Sequence, residues 1–313
     1  MLSYAIRRIF TTIPVLLGIS VLVFLTLRVS SGDPAAILGG DAVTPEQIEA
    51  IRTQLGLGEP IWKQYLHWLS NALRGDFGLS YYYKMPVSDL IMSRVEPTLV
   101  LALLTLAISV SVAIPLGTAA AHRAGSVADN LSTALAVMGF SIPVFVVGYA
   151  LIGLFSIKLG LTPVQGYQRL ADGFWGTLRS AILPALALST VYIGLLTRIT
   201  RASVLEVLNA DYVRTAQAKG LKPLPITIKH VLRNAAAPIV TVIAMGFASL
   251  ISGVVVTESV FNIPGLGRLM VDAVLARDYP SVQAIVLIFT VFYIVINLIA
   301  DISYGILDPR VNT

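Results

Sequence analysis

The sequence predicts an all-α integral membrane protein with six transmembrane helices, and three observations support this fold class. The 313 residues are 56% hydrophobic and only 12% charged, about half the charged share of an ordinary soluble domain. The mean hydropathy is +0.81, so a large apolar surface must face lipid instead of water. The apolar residues also fall into six long runs. The net charge of +5 is typical of cytoplasmic Lys and Arg in membrane proteins, so no nucleic-acid partner is expected.

Each run is long enough to cross a hydrocarbon core about 30 Å thick, which takes roughly 20 helical residues. None has the alternating pattern of a membrane-spanning strand. Almost every charge lies outside the runs or near their ends, where long side chains reach the interface. The predicted spans are residues 9–29, 98–121, 134–157, 181–199, 236–257 and 282–303.

The first run follows Arg7 and Arg8, as the apolar part of a signal peptide would. It is too long for such a part, and residues 30–34 make a poor cleavage site. We therefore expect a retained helix, with residues 1–29 forming the N-terminal tail and the first span.

Lys and Arg in the short loops predict the orientation. With the N-terminus inside, the cytoplasmic segments carry eleven of these residues and the short outer loops carry five. Both termini are therefore expected in the cytoplasm. Residues 30–97 become an extracytoplasmic helical segment, and residues 98–313 become a five-helix core with a cytoplasmic loop at 200–235.

Prolines interrupt the predicted spans. Each removes a backbone donor and favours a kink, which a membrane protein tolerates where neighbouring helices or a cavity satisfy the freed carbonyl. Packing irregularity explains any single one equally well. They are Pro14, Pro115, Pro143, Pro184 and Pro238.

The outer segment contains two predicted helices. Thr44 caps the first and Gln47 closes a capping box, while Gly56 ends it. The second begins at Pro60, ends before Gly75 and carries an apolar face rich in Trp and Leu. That face either packs locally or docks an external protein, and both alternatives stay open.

The cytoplasmic loop is basic, with seven Lys or Arg and two acids between residues 198 and 233. Within it, residues 211–220 predict a short helix. Asp211 is the expected N-cap, Lys219 lies at the negative end of the dipole, and Gly220 suits the C′ position. Two turns are marginal alone in water, so the helix must pack on another surface. Ala216 and Ala218 have small side chains, which would let another surface approach the helix backbone closely.

Tyr212 and residues 214–220 resemble the EAA loop of ABC-transporter permeases, in the variant of the dipeptide and oligopeptide permeases. Arg214 and Thr215 stand where the general pattern has Glu and Ala, a departure that is common in the peptide branch. Further matching stretches follow in order along the chain: residues 32–34, 55–57, 64–66, 75–80, 94–99, 182–185 and 258–267.

The resemblance implies the type I ABC importer permease fold and a bacterial inner-membrane location. It implies that this chain lines a translocation path together with a homologous second permease subunit. Two cytoplasmic ATP-binding subunits would hold ATP and Mg, and an extracytoplasmic solute-binding protein would deliver di- or oligopeptides. No cofactor is then expected in this chain. The residues implied to contact an ATPase are Asp211, Tyr212, Arg214, Thr215, Ala216, Ala218, Lys219 and Gly220.

Residues 258–277 lie at the outer face in the predicted topology. Their Pro-Gly turn predicts either a gating element near the pore mouth or an ordinary turn. The residues concerned are Glu258, Phe261, Pro264 and Gly265.

The sequence carries no enzyme signature. It lacks the GxxxxGK[ST] phosphate loop and the HExxH motif, and no nucleophile of a membrane-embedded hydrolase is recognisable. ATP hydrolysis must therefore come from another chain. A secondary carrier would need ionisable groups inside its spans, and none lies at a span centre. Glutathione or a nickel chelate stays open as the substrate, because the same branch of the family includes such systems.

Overall fold

Helices dominate the part of the chain that the computed structural model describes, with loops, turns and one isolated bridge between Leu79 and Pro86. The all-α prediction is confirmed for this part. The matched stretch 32–34, Leu55 and the C-terminal residues 308–313 lie outside it. The described residues are 2–29, 35, 44–54 and 56–307.

Twelve α-helices are labelled in chain order within these described residues. Two continue as π-helical turns, at Ile152–Lys158 and Thr227–Leu232. The bounds are α1 Leu2–Val29, α2 Pro45–Gln54, α3 Ile61–Leu73, α4 Val87–His122, α5 Val127–Ser141, α6 Val144–Leu151, α7 Phe174–Leu208, α8 Asp211–Ala218, α9 Pro223–Ile226, α10 Ala236–Val260, α11 Leu266–Leu275 and α12 Tyr279–Leu307.

Three helices of the described chain are long and apolar enough to cross a membrane, and the number rises to five if each of two bent pairs is one span. The α1 stretch Phe10–Thr26 is a shorter apolar helix. Six spans therefore stay a prediction. The three long helices are Val87–His122, Phe174–Leu208 and Tyr279–Ser303, and the bent pairs are Val127–Ser141 with Val144–Lys158 and Pro223–Leu232 with Ala236–Leu250.

Pro143 marks the sharpest break in an apolar segment. The two helices on either side of it meet at 99°. Ile142 has φ −89° and ψ 126°, the extended conformation that a following proline imposes. The predicted effect of Pro143 is confirmed, whereas Pro97, Pro115 and Pro184 lie inside α4 and α7 without ending them.

The chain forms two compact units. The larger comprises Glu96–Arg268 and the residues from Tyr293 onward, with a short N-terminal piece. In it α5, α6 and α10 pack on α7, and more of α7 is buried than of the other two long apolar helices. One apolar cluster surrounds Leu188 and Phe261, and a second surrounds Val204 and Val213.

Small residues bring the helices of the larger unit close together. A Cβ at Gly139 of α5 would lie 2.5 Å from the carbonyl oxygen of Thr190 on α7, and one at Gly117 of α4 would lie 2.6 Å from that of Thr197. Both crossings therefore depend on a missing side chain, as is common between membrane helices.

The smaller unit, Arg8–Val95 with Leu269–Phe292, contains the predicted outer helices. Thr44 N donates to Gln47 Oε1 over 3.0 Å, and Gln47 N lies 3.4 Å from Thr44 Oγ1. These reciprocal bonds confirm the predicted capping box at the start of α2.

The apolar face of α3 divides between two roles. Tyr65 and Trp68 pack against Phe24 of α1 with ring centroids 5.5 and 5.7 Å away, and Tyr65 Oη lies 2.8 Å from Ser20 Oγ. Trp62 and Leu66 stay exposed. Local packing on α1 therefore accounts for part of the aromatic face, and docking of an external protein stays a prediction for the rest.

Candidate functional site

Helix α8 begins one residue earlier than the sequence predicts. Ala210 is its N-cap, with φ −74° and ψ 145° and no side-chain hydrogen bond. Asp211 is the first helical residue, and its side chain is 98% exposed. The prediction of Asp211 as N-cap is therefore wrong, because the chain leaves α7 through Asn209 and Ala210. Its carboxylate still lies near the positive end of the helix dipole, 3.8 Å from the Arg214 guanidinium.

The end of α8 matches the prediction. Gly220 has φ +78°, the left-handed conformation expected at C′. Its N–H donates to the Gln217 carbonyl over 2.9 Å, and the Leu221 N–H reaches the Ala216 carbonyl over 3.4 Å. This pair of bonds is the Schellman motif, so the direction in which the chain leaves α8 is fixed by its backbone.

One side of α8 is anchored in the chain itself. Val213 and Ala216 are buried in the second apolar cluster, together with Val204, Ile226 and Val231. This contact supplies the packing surface that so short a helix requires. The Ala216 methyl group packs inside the unit, so the close approach at this position is made by the chain's own residues, and a contact of Ala216 with an ATPase stays a prediction.

The other side of α8 is open to solvent. Its exposed residues, together with nearby exposed Lys and Arg, give this surface a positive charge. We call the following residues the exposed face of α8: Asp211, Tyr212, Arg214, Thr215, Gln217, Ala218, Lys219 and Gly220. The nearby exposed cations are Lys222, Lys229 and Arg233.

An ion pair that the sequence analysis missed ties α5 to α7 in the same unit. Asp129 lies in the first turn of α5, which Ser126 caps, and its carboxylate is almost fully buried. Arg201 donates two hydrogen bonds to it, from Nη2 to Oδ2 over 2.6 Å and from Nε to Oδ1. Gly125 N donates to Oδ2 over 2.9 Å. The two side chains are 72 positions apart, so no local pattern could have revealed the pair.

The Pro-Gly segment is organised by a buried carboxylate. Glu258 accepts hydrogen bonds from Thr98 Oγ1 over 2.6 Å and from the Arg268 N–H over 2.8 Å. Thr98 Oγ1 in turn accepts from the Leu266 N–H over 2.8 Å. Thr98 and Glu258 thus satisfy backbone donors in the first turn of α11, which has no intrahelical partner for them.

The remaining residues of this segment pack inward. Phe261 is buried in the first apolar cluster against Gly148, and its carbonyl accepts from the Gly166 N–H over 2.9 Å. A Cβ at Gly265 would collide with the Glu258 carboxylate, so the turn needs glycine there. Pro264 is half-buried. Turn chemistry accounts for these contacts, and a gate made by Glu258, Phe261, Pro264 and Gly265 stays a prediction.

No group of three or more His, Asp or Glu side chains in the described residues could hold a metal ion. The site consists instead of a basic helical surface on one element and a buried polar network at another.

Known proteins resemble the chain over its whole length. The family model described as "Binding-protein-dependent transport system inner membrane component" matches residues 113–313, and the model for the N-terminal part of such components matches residues 1–102. The chain is 45% identical to the probable peptide ABC transporter permease protein y4tP of Sinorhizobium fredii over 98% of both chains. It is 43% identical to the glutathione transport system permease protein GsiC of Escherichia coli K12 over 99% of both.

A solved structure shares the fold. A chain of the MetNI methionine ABC transporter, in an inward-facing conformation, superposes with a TM-score of 0.57 over 70% of this chain and 96% of its own. The two sequences are only 16% identical, so this likeness concerns the fold alone.

Proposed function

We propose, from the premise that the chain belongs to the binding-protein-dependent transport system inner membrane component family, that it is one permease half of an ATP-driven importer of di- and oligopeptides. The chain is a multi-pass inner-membrane protein and an ABC permease of the peptide and glutathione family. The peptide substrate is supported by the relative from Sinorhizobium fredii, which is named as a probable peptide permease.

In this proposal the chain lines part of the translocation path and transmits motion through α8. Other chains hydrolyse ATP and deliver the substrate. The sequence has no phosphate-binding loop, so two cytoplasmic ATP-binding subunits hold ATP and Mg. A homologous second permease completes the translocation path. An extracytoplasmic solute-binding protein delivers the substrate to the side that residues 30–97 occupy.

The observation that carries the proposal is the two-sided construction of α8. Val213 and Ala216 fix one side in the apolar cluster of the larger unit, while the opposite side presents Tyr212, Arg214 and Lys219 to solvent. A helix that is anchored in this way moves together with the elements that hold it. Closure of the ATPase pair would therefore push on the exposed face of α8 and displace the apolar helices of this unit.

Co-purification and reconstitution test the assembly. A tagged chain extracted from its native membrane should bring a second permease and ATP-binding subunits, identified by mass spectrometry. Liposomes that contain the whole assembly should take up a labelled tripeptide only when ATP is present. Uptake by this chain alone, driven by an ion gradient, would instead identify a secondary carrier and end the proposal.

Arg214→Glu tests the contact made by the exposed face of α8. The reversed charge should lower the yield of ATP-binding subunits that co-purify with the chain, because a groove that accepts this basic surface must be acidic or polar. Arg214→Lys keeps the charge and should retain the yield. Lys158→Glu reverses an exposed charge outside the loop and serves as the matched control. An unchanged yield for Arg214→Glu would remove Arg214 from the contact.

Glutathione is the second candidate substrate, because the chain is nearly as similar to a glutathione permease as to the peptide permease. Competition separates the two. If unlabelled glutathione suppresses uptake of a labelled tripeptide much better than unlabelled tripeptide does, glutathione becomes the preferred substrate. The nickel-chelate alternative predicts no ATP-dependent uptake of the labelled tripeptide.

A further inference from the structure

A cavity of about 940 Å³ opens between the loop after α6 and the first turns of α7, within the larger unit. This is at the upper end of the volume range in which small ligands bind. Its walls contain Gln165, Tyr167, Gln168, Trp175, Arg179 and Ser180.

Hydrogen bonds hold the loop wall in place. The Glu96 carboxylate accepts from Tyr167 Oη over 3.0 Å and from the Leu170 N–H over 2.8 Å. Gln168 N donates to Ser180 Oγ over 3.2 Å. Burial, followed by the bond to Glu96, raises the pKa of Tyr167 well above its ordinary value, so its hydroxyl stays protonated and keeps donating. The wall is therefore preformed.

The other wall carries a cation at the start of a long helix. Arg179 lies in the second turn of α7, is exposed, and forms no ion pair with any described residue. The N-cap Gly173 offers no side-chain acceptor to the first turn, so the positive end of the dipole adds to the charge of Arg179. The nearby Glu96 is engaged by Tyr167 and Leu170, and Asp172 is exposed outside the cavity lining.

An exposed aromatic ring completes the wall. Trp175 is 74% exposed and lines the cavity one turn before Arg179. Between them Gly176 leaves room for the Gln168 side chain, with which a Cβ would collide. The cavity thus offers a guanidinium for an anion, an indole face for an apolar group, and amides for a peptide backbone.

We propose that this cavity binds a short peptide by its C-terminal carboxylate, which pairs with the Arg179 guanidinium while the adjoining side chain packs on Trp175. The inference rests on the proposed function, since it gives the transported peptide a binding site on the permease itself. In the predicted topology the cavity opens on the extracytoplasmic side, where peptide arrives.

Calorimetry on the full chain in lipid nanodiscs tests the site, with trialanine and its C-terminal amide as probes. The acid should bind at least about tenfold more tightly than the amide, because only the acid forms the charge-assisted bidentate pair. Arg179→Gln should weaken trialanine binding by a similar factor. Lys158→Gln, which removes one exposed positive charge at the start of the same predicted outer loop and lies outside the cavity lining, should leave the affinity within about twofold.

Each result decides the matter. The site is overturned if trialanine and its amide bind with equal affinity, or if trialanine does not bind. It is also overturned if the Arg179→Gln variant binds trialanine as tightly as the unsubstituted chain. ATP-driven uptake by the assembled transporter is measured separately. Uptake without Arg179-dependent binding removes this site and leaves the proposed function standing, whereas Arg179-dependent binding without uptake keeps the site and removes the function.

Discussion

Two glycines near the proposed working parts are required for opposite reasons. Gly220 has φ +78°, while a Cβ built on it would meet nothing within 4 Å. Its requirement is therefore one of backbone conformation, which costs an ordinary L-residue about 1–2 kcal/mol. Gly265 is required by space, because a Cβ there would strike the carboxylate of Glu258. Substitutions at Gly220 can thus be sorted by their tolerance of the left-handed region alone.

Gly220→Val and Gly220→Asn form a matched pair. Valine resists positive φ, whereas asparagine adopts it readily. We expect Gly220→Val to distort the end of α8 and lower ATP-driven tripeptide uptake at least severalfold, while the binding protein still holds substrate. Gly220→Asn should retain most uptake. The measurement is the amount of tripeptide taken up per ATP hydrolysed in proteoliposomes. Equal ratios for both variants would show that the conformation of Gly220 plays no part in coupling ATP hydrolysis to transport.

Residues whose role depends on their sequence neighbours could be predicted, and those whose role depends on distant contacts could not. The Thr44 capping box and the positive φ of Gly220 follow from a few adjacent positions. Asp211 was misplaced by one position because the path of the chain out of α7 decides the cap. The burial of Ala216 could not be predicted, because Val204 and Val231, which are 12 and 15 positions away along the chain, decide which side of α8 is covered.

Among the elements, α5 and α7 are joined by a partly buried ion pair. Asp129 and Arg201 meet through two parallel hydrogen bonds, an arrangement that fixes the angle as well as the distance between charged groups. The pair lies where α5 begins and shortly before α7 leads into α8. In the proposed mechanism, this pair would keep α5 and α7 together when α8 is displaced.

A double-mutant cycle tests this contact. Asp129→Asn and Arg201→Gln should each lower the Tm of the purified chain, because each leaves its partner with an unmatched charge. The combined variant should lower it by less than the sum of the two, since contacting residues do not act additively. Asp172→Asn, at an exposed acid outside the pair, controls for loss of one carboxylate. Additive losses would exclude a direct interaction.

Element boundaries were predicted where proline or glycine sets them and missed where packing sets them. Pro143 bends its apolar run, as a kink-favouring proline was expected to, but α4 begins 11 residues before the predicted position 98, at Val87. Pro97 therefore lies within a helix that continues through it. The π-helical turns at Ile152–Lys158 and Thr227–Leu232 leave no periodic signal in so few residues.

For the molecule as a whole, family membership could be predicted because matching stretches occur in order from one end of the chain to the other, and the similarity over 98% of the chain confirms it. The number of spans differs between the two lines of evidence. Composition gives six apolar runs, whereas helix length and bending give three to five spans in the described residues. Orientation rests on the distribution of Lys and Arg alone.

The natural absence of cysteine makes orientation directly measurable. Asn71→Cys in α3 and Gln217→Cys in α8 each introduce one exposed thiol into an otherwise cysteine-free chain. A membrane-impermeant maleimide added to intact spheroplasts should label Asn71→Cys at once and Gln217→Cys only after permeabilisation. The unsubstituted chain is the blank, and labelling after permeabilisation shows that both thiols are reactive. The reverse pattern would place α8 outside the cell, where no ATP-binding subunit could reach it. Both the predicted topology and the proposed coupling through α8 would then be wrong.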